Sequence, residues 1–351
     1  MDQQQWQEYL ISQGAQWSEG AASFPDNSAH ADLQLIDLSP LGAISVSGPD
    51  SQKFLQGQLT CDLINLPDEH LTLGGHCNPK GRMISAFHIL KVSQSEFLLL
   101  LPRDLTPIAL AALKKYAVFF KTELKSLEGV FRWLGLCGHD AGTRASHLLN
   151  LSHNSKGDLI PGQLIPFDHN GTRAIAGMLQ ERMVAVLVAE EQAADLWQQL
   201  TRTPATPASY NHWQQQWIAA GVPELHAATS EMFIPQMLNL HLLGAVSFKK
   251  GCYTGQEVVA RMQYLGAAKR RMYLASVDGV ELPEPGVEIF TPNGSSSVGN
   301  LVSACKTENG IELLAVLTKS KVVDNALMQL QDGRQLSLYE LPYDADADPL
   351  A

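Results

Sequence analysis

The segment from Lys249 to Glu257 combines side chains that could bind an anion with one that could act as a nucleophile. It has the sequence KKGCYTGQE. Neighbouring positive charge favours the thiolate, the reactive form of a cysteine such as Cys252. Glycine adopts positive φ without steric cost, so Gly251 and Gly255 permit a tight turn or the close approach of a ligand. The segment therefore predicts a recognition loop with Cys252 as a functional thiol.

The residues after this loop predict a helix. Gly255 and Gln256 lead into residues 257–262, whose types suit the first turns of a helix. A glycine-bearing loop that opens into a helix offers free N–H donors to anionic groups. An ordinary interpretation remains open beside this one, because free cysteines are most often small buried residues. By the same reasoning Cys77, which precedes a Pro-Lys-Gly turn, is expected to pack in a core.

Basic residues are concentrated around the loop in a chain whose formal net charge is −11. Residues 249–271 contain six lysines and arginines and a single acid, Glu257. An evenly acidic protein repels nucleic acid, whereas a local positive excess can hold an anionic group. The distribution predicts an anion site near the loop and leaves a solvated basic surface as the alternative.

The composition is that of an ordinary globular protein. Of the 351 residues, 45% are hydrophobic and 17% charged. No apolar run approaches the roughly 20 residues of a membrane span, and the first residues lack an export-signal pattern. Five scattered cysteines, none in a CxxC pair, indicate a reducing compartment and argue against a disulfide framework or a cysteine metal site. We therefore expect a cytoplasmic protein with no metal site of its own and no membrane partner.

Several catalytic motifs are absent from the sequence. It contains no P-loop, no Gly-x-Gly-x-x-Gly after a strand, no His-Glu-x-x-His and no nucleophile elbow. Their absence argues against nucleotide-driven, metallopeptidase and serine-hydrolase functions.

The order of predicted elements is α+β, then α+β, then β. Strand and helix signals alternate twice in a ferredoxin-like order, and short strands separated by turn signals follow, which is typical of a small antiparallel barrel. The predicted divisions are an N-terminal extension (1–30), a first α+β domain (31–128), a second α+β domain (129–203), a helical segment with the signature loop (204–268), a C-terminal β-barrel (269–342) and an acidic tail (343–351).

Two tryptophans lie four residues apart in the predicted helix at 210–220. Trp213 and Trp217 therefore share one helix face. Aromatic pairs at this spacing are most often core residues, although an indole can also stack on a ring ligand such as a pterin. The sequence leaves both interpretations open.

The loop and four other segments resemble the YgfZ family, folate-binding relatives of the glycine-cleavage T-protein. The resemblance covers about residues 32–342, and its segments are 54–62 (FLQGQLTCD), 76–83 (HCNPKGRM), 113–119 (LKKYAVF), 233–236 (FIPQ) and 248–257 (FKKGCYTGQE). It implies a T-protein-like ring of three domains around a folate cleft. It also implies a cofactor, tetrahydrofolate or a derivative including polyglutamylated forms. The implied partners are iron–sulfur enzymes, including radical enzymes that modify tRNA.

The resemblance implies a set of folate-binding positions. Trp213 matches a family position that contacts folate, and a second such position, tryptophan in close relatives, falls at Leu41. The loop residues near the cleft complete the implied set, in which basic side chains pair with folate carboxylates. These residues are Lys250, Gly251, Tyr253, Gln256, Glu257 and Arg261.

One departure from T-proteins concerns chemistry. T-proteins carry an aspartate after the glycine of the first-domain hairpin, and residues 82–86 after Gly81 here contain no acid. Neither Ile84 nor Ser85 can replace a carboxylate in proton transfer at neutral pH. Aminomethyl transfer is therefore not expected, and no reaction is assigned. A folate-dependent one-carbon transferase and a direct tRNA-binding protein remain the alternatives, although the net charge of −11 argues against the second.

Overall fold

The structure is a computed structural model that describes residues 2–18, 20–25, 31–151, 158–202, 205–264, 266, 268–292 and 294–347. Its helices are α1 Gln3–Ser12, α2 Ser51–Gln58, α3 Thr106–Ala117, α4 Ala141–Leu148, α5 Ala193–Thr201, α6 Tyr210–Ala219, α7 Gln256–Tyr264 and α8 Lys319–Val323. None of the helices in these ranges is long and apolar enough to cross a membrane.

The strands of the first half of the chain are β1 Gln16–Ser18, β2 Ala21–Ser23, β3 Leu33–Asp37, β4 Leu41–Ser47, β5 His70–Cys77, β6 Met83–Ser93, β7 Glu96–Pro102, β8 Glu123–Ser126, β9 Phe131–Gly138 and β10 Leu164–His169. Those of the second half are β11 Thr172–Gln180, β12 Met183–Ala189, β13 Ala205–Ala208, β14 Arg270–Val277, β15 Glu288–Phe290, β16 Gly299–Thr307, β17 Gly310–Thr318, β18 Gln329–Leu330 and β19 Ser337–Tyr339.

The N-terminal segment is part of a core, so the predicted polar extension at 1–30 is wrong for its described residues. The side chain of Asp2 caps α1, on which Trp6 and Leu10 are fully buried. The indole of Trp6 meets Trp197 edge-on, with 5.8 Å between ring centroids. Two apolar residues four apart form a stripe on an otherwise polar helix, and the polar composition of the segment obscured it. Residues 1, 19 and 26–30 lie outside the described ranges.

The first sheet is antiparallel, in the strand order β5-β6-β7-β4-β8. It follows the chain order β-α-β-β-β-α-β, with α2 and α3 as its helices. Phe54 and Leu55 of α2 and Leu113 of α3 are buried in a core with the inward side chains of the sheet. The β5–β6 hairpin of this sheet extends to the turn at residues 78–82, which matters for the site below.

The second sheet draws strands from outside the predicted second domain. Its order is β10-β11-β12-β9-β3-β13, in which β3 pairs antiparallel with β9 and parallel with β13. The predicted divisions assign β3 to 31–128 and β13 to 204–268. Both strands therefore join the second sheet although they lie outside the predicted second domain. The division of the chain into domains therefore remains a proposal.

The first and second sheets pack on each other through an apolar layer. Leu41 and Leu100 come from the first sheet, Ile175 and Leu187 from the second, and all four are buried. Helix α6 contributes its two tryptophans to the same layer. Strands of both sheets carry apolar side chains on both faces, because one face is buried in the core of its own sheet and the other in the layer between the two sheets.

The last sheet has the order β18-β15-β16-β17-β14-β19, and its neighbours are antiparallel. A hairpin connects its two edge strands, with a bridge between Gln329 and Gln335, so the sheet curls into a barrel. The predicted α+β class with a C-terminal β-barrel is confirmed.

The chain beyond the barrel, predicted as an acidic tail at 343–351, is anchored along residues 343–347. The hydroxyl of Tyr343 donates to the carbonyl oxygen of Gly221 at 2.8 Å, and Asp346 forms an ion pair with Arg271. Gly221 has φ +64°, and a Cβ there would come within 2.7 Å of the Tyr343 ring. Residues 348–351 lie outside the described ranges.

Candidate functional site

A buried ammonium group holds the signature loop against the end of α2. Lys250 Nζ donates to the carbonyl oxygens of Gln56, Leu59 and Cys61 at 2.6, 2.7 and 2.7 Å. The last carbonyls of a helix have no partner within the helix and carry partial negative charge, so a cation there is stabilising. Burial lowers the pKa of Lys250 to about 8, which leaves the group protonated at neutral pH. All three donors are occupied, so the predicted contact between Lys250 and a folate carboxylate is wrong for this arrangement.

The same loop also contacts the β5–β6 turn. Gly255 has φ +82°, and a Cβ at this position would lie 2.5 Å from the carbonyl oxygen of Asn78. A Cβ on Gly81 of the turn, φ +70°, would lie 2.9 Å from the Cβ of Val258. The backbone N–H of Thr254 donates to the carbonyl oxygen of Gly57. Three of the segments that carry the family resemblance therefore meet in one place.

Gly255→Ala is expected to destabilise the protein by about 2 kcal/mol or more, because the substitution adds both backbone strain and a clash with Asn78. Urea unfolding followed by circular dichroism measures the loss. Gly251→Ala is the matched control, since a Cβ on Gly251 would have no neighbour within 4 Å. Equal stability of the two variants would contradict the tight contact between loop and turn.

The thiol of Cys252 lies on the outer side of this loop. All five cysteines fall in the described ranges, and Cys252 is exposed whereas the other four are buried. Burial raises the pKa of Cys61, Cys77, Cys137 and Cys305 to about 12 in each case. Cys252 therefore differs from the other four cysteines in that its thiol is accessible to solvent. Among the described residues, no group of three or more histidine, cysteine or acidic side chains could hold a metal ion.

The other predicted loop residues fall into buried and exposed groups. Tyr253 is buried, with the ammonium of Lys250 5.2 Å from its ring centroid. Gly251, Glu257 and Arg261 are exposed, and Gln256 begins α7 half-buried. The exposed members could contact a ligand or partner, whereas Tyr253 packs beneath the loop.

The basic residues of 249–271 do not form one surface. Arg270 donates to the carbonyl oxygen of Ser297, and Arg271 is paired with Asp346. Lys249, Arg261 and Lys269 remain exposed. Local sequence charge therefore overstated the anion site, because half of the basic side chains are engaged within the protein.

Leu41 and Trp213, two of the predicted folate-binding positions, lie away from the loop, in the layer between the first two sheets. Trp213 is fully buried; a Cβ on Gly135 would come within 2.9 Å of its indole ring. A small cavity in this layer, with a volume of about 20 Å³, is lined by Leu41 and Trp217 but not by Trp213. Trp217, one turn later on α6, lines the cavity and is as fully buried as Trp213, and the role of Trp213 in ligand binding stays a prediction.

The cavity combines a flat aromatic wall with one carboxyl group. His88 stacks on Trp217, with 4.5 Å between ring centroids and 18° between planes. Burial lowers the pKa of His88 to about 4, so the imidazole is neutral at pH 7. Glu224 also lines the cavity, and burial raises the pKa of its carboxyl to about 7. Sequence reasoning missed both residues; the sequence signal for Glu224 was its place in an otherwise apolar run, Val-Pro-Glu-Leu.

The structure does not merge the loop and the cavity into one pocket. Both adjoin β6: Met83 follows the turn that contacts Gly255, and Ala86 lines the cavity. Three residues of strand correspond to about 10 Å. A ligand confined to the cavity would therefore lie away from Cys252, whereas an elongated one could extend along β6 between the two.

Comparison with known proteins identifies a matching family model and two relatives that share one name. The family model of the GCVT N-terminal domain matches residues 15–206. The tRNA-modifying protein YgfZ of Enterobacter sp. (strain 638) is 33% identical over 330 residues, covering 91% of this chain and 96% of that protein. The tRNA-modifying protein YgfZ of Klebsiella pneumoniae (strain 342) is 31% identical over 325 residues, covering 91% and 95%.

A solved structure shows the fold. Glycine cleavage system aminomethyltransferase T from Bartonella henselae superposes with a TM-score of 0.78, covering 95% of this chain and 96% of that one. The sequence identity is 18%, so the likeness concerns architecture. The predicted T-protein-like fold is confirmed.

Proposed function

This chain belongs to the YgfZ family, and we propose that it is a cytoplasmic folate-binding accessory protein that supports iron–sulfur enzymes, and through them tRNA modification. Its relatives bear the name tRNA-modifying protein, which supports the link to tRNA. The observation that carries the proposal is the placement of Cys252, an exposed thiol on a loop held from beneath by Lys250 and Gly255. A reactive group presented on a fixed loop suits contact with another protein or a bound small molecule.

Folate binding is assigned to the cavity between the first two sheets. Leu41 and Trp217 line apolar walls there and His88 stacks on the indole, and the cavity, whose volume of about 20 Å³ is that of about one water molecule, must widen to admit a flat heterocycle. The cofactor is tetrahydrofolate or a derivative, with polyglutamylated forms included because Lys249 of the loop and Arg261 of α7 are exposed basic residues. Lys249 takes the place that Lys250 held in the sequence prediction, and Arg261 keeps the role predicted for it.

The proposal includes no group transfer. Position 85 on β6, after the hairpin glycine, is a fully buried serine, and its hydroxyl has no hydrogen-bond partner among the described residues. No carboxylate is available there to assist transfer at a folate nitrogen. Incubation with tetrahydrofolate and an aminomethyl or formaldehyde donor should give no turnover, and measurable turnover would favour the one-carbon transferase alternative.

Binding of tetrahydrofolate is expected to quench tryptophan fluorescence through Trp217. Trp217→Phe should remove most of the quenching while the dissociation constant changes by no more than about threefold, because a phenyl ring preserves most of the apolar contact. Trp213→Phe is the matched control one helical turn earlier, and it should keep the quenching. The assignment of the cavity is wrong if Trp213→Phe removes the signal and Trp217→Phe retains it.

The iron–sulfur part of the proposal is tested in cells that lack the gene. The wild-type chain should restore the tRNA modifications that iron–sulfur enzymes make, measured by mass spectrometry of digested tRNA. Unchanged modification in the deletion strain would contradict this part and leave folate binding standing.

A further inference from the structure

The layer between the first and second sheets opens at the end that lies away from Trp217. On β4, Leu41 and Ala43 face this layer, and Ser45 and Ser47 continue the same face. Leu41 lines the small cavity beside Trp217, whereas the two serines line a second cavity. Six residues of strand separate Leu41 from Ser47, which corresponds to about 20 Å. The second cavity is therefore a separate space at the opposite end of β4.

This second cavity, called the outer cavity below, is large enough for a small organic molecule. Its volume is about 280 Å³, against about 20 Å³ for the cavity beside Trp217. Sites for drug-sized ligands measure about 300–1,000 Å³, so the outer cavity suits a somewhat smaller molecule. Leu98, Ile175 and Leu187 form its apolar floor, and all three residues are buried.

An ion pair lies at the mouth of the outer cavity. Nη1 of Arg173 donates to both carboxylate oxygens of Glu96, at 3.1 and 2.9 Å. Both side chains line the cavity and are partly exposed. Nε and Nη2 of Arg173 have no acceptor among the residues that the structure describes, and a guanidinium can bind a carboxylate through two such N–H groups. The pair therefore leaves donors of Arg173 free, while the oxygens of Glu96 keep lone pairs for a further donor.

Two hydroxyl groups complete the polar part of the wall. Ser47 is directly opposite Glu96 in the pairing of β4 with β7, and Ser45 lies two residues earlier on the same face. Neither hydroxyl donates to another residue in the described part of the chain. Polar groups beside an apolar floor normally have a hydrogen-bonding partner. The outer cavity thus presents an apolar floor, two hydroxyls and one charge of each sign.

We propose that the outer cavity binds a free α-amino acid with an apolar side chain. The ligand's carboxylate lies against the free N–H groups of Arg173, its ammonium group between Glu96 and Ser47, and its side chain on the apolar floor. A purely anionic ligand would be repelled by Glu96 and a purely cationic one by Arg173, whereas a zwitterion is attracted by both. Separating the two side chains to admit the ligand costs little, because partly exposed ion pairs contribute little stability. The site is independent of the folate binding proposed above.

Titration calorimetry of the full chain with L-leucine tests the proposal. Leucinol, which lacks the carboxylate, and N-acetyl-L-leucine, which lacks the ammonium group, are the comparison probes. Wild-type protein should bind L-leucine with a dissociation constant below about 1 mM and each comparison probe at least about tenfold more weakly. Arg173→Gln should weaken binding of L-leucine at least about tenfold but change binding of leucinol by no more than about threefold, because leucinol has no carboxylate for Arg173 to bind. Arg144→Gln, which removes an ion pair between α4 and Asp32, is the matched control and should bind L-leucine as wild type does.

A second variant tests the location. Ser45→Phe places a ring in the outer cavity, keeps the ion pair, and should weaken binding of L-leucine at least about tenfold. Both variants should bind tetrahydrofolate as wild type does, because they lie at the other end of β4. The proposal is overturned if wild type does not bind L-leucine at up to about 10 mM, if the comparison probes bind as tightly as L-leucine, or if Arg173→Gln or folded Ser45→Phe binds it as wild type does. If Ser45→Phe does not fold, the comparison of Arg173→Gln with Arg144→Gln decides.

Discussion

Cys252→Ala should abolish restoration of tRNA modification in a strain that lacks the gene, while the protein folds and binds tetrahydrofolate as before. The loss should be complete because the other four cysteines are buried and cannot substitute for the thiol. Folate affinity should stay within about threefold, since Cys252 is not among the residues that line the cavity. Complementation measured by tRNA mass spectrometry and titration calorimetry on the same variant provide the two readouts.

The accessibility of the thiol has its own check. Iodoacetamide should modify one cysteine in the native protein and five after denaturation, with Cys252 identified by peptide mass spectrometry. Cys252→Ser serves as the isosteric control, because it keeps a polar group of similar size without the nucleophilicity. Full activity of either variant would refute the essential role of the thiol, and first modification at a buried cysteine would refute the exposure on which that role depends.

Lys250→Met should destabilise the protein by about 3 kcal/mol or more. The substitution keeps a long apolar stem but removes the three donors that satisfy the carbonyl oxygens of Gln56, Leu59 and Cys61. Buried acceptors left without a donor cost about 1–3 kcal/mol each, although local rearrangement and water entry reduce the sum. Urea unfolding monitored by circular dichroism gives the free energy of unfolding.

Lys249→Met is the matched control one residue earlier. Its side chain is exposed, and exposed substitutions typically change the free energy of unfolding by no more than about 0.5 kcal/mol. Lys250→Met should also reduce restoration of tRNA modification, because the loop that carries Cys252 loses its attachment to α2. If Lys250→Met is as stable as the control but folate binding falls, then Lys250 binds the ligand, as the sequence had suggested, and the structural role is wrong.

Several local features could be predicted from the sequence because their causes are local. A glycine-bearing loop precedes α7, as predicted from the residues that follow the signature loop. Short strands separated by turn signals indicated the barrel, and the helix predicted at 210–220 corresponds to α6. The order of the α+β and β regions followed from these elements.

Other features depended on partners far away in the chain. The pairing of β3 with β9 and β13 joins residues about one hundred and more positions apart, and no local pattern specifies which sheet an apolar strand enters. The packing of Trp6 on Trp197 likewise converts an apparent polar extension into part of a core. Long-range packing overrides the local composition in both cases.

The sequence by itself determined the chemical character of this protein: one loop with a cysteine between two glycines, an acidic chain with a basic stretch, and a hairpin without the T-protein acid. Only the tertiary structure decided which of these groups can meet a ligand. Lys250 turned out to bind carbonyls of α2, Trp213 to pack behind Trp217, and Glu224 to reach a cavity. The physical reason is that residue type sets what a side chain can bind, whereas burial and the donors and acceptors that surround it set what it does bind.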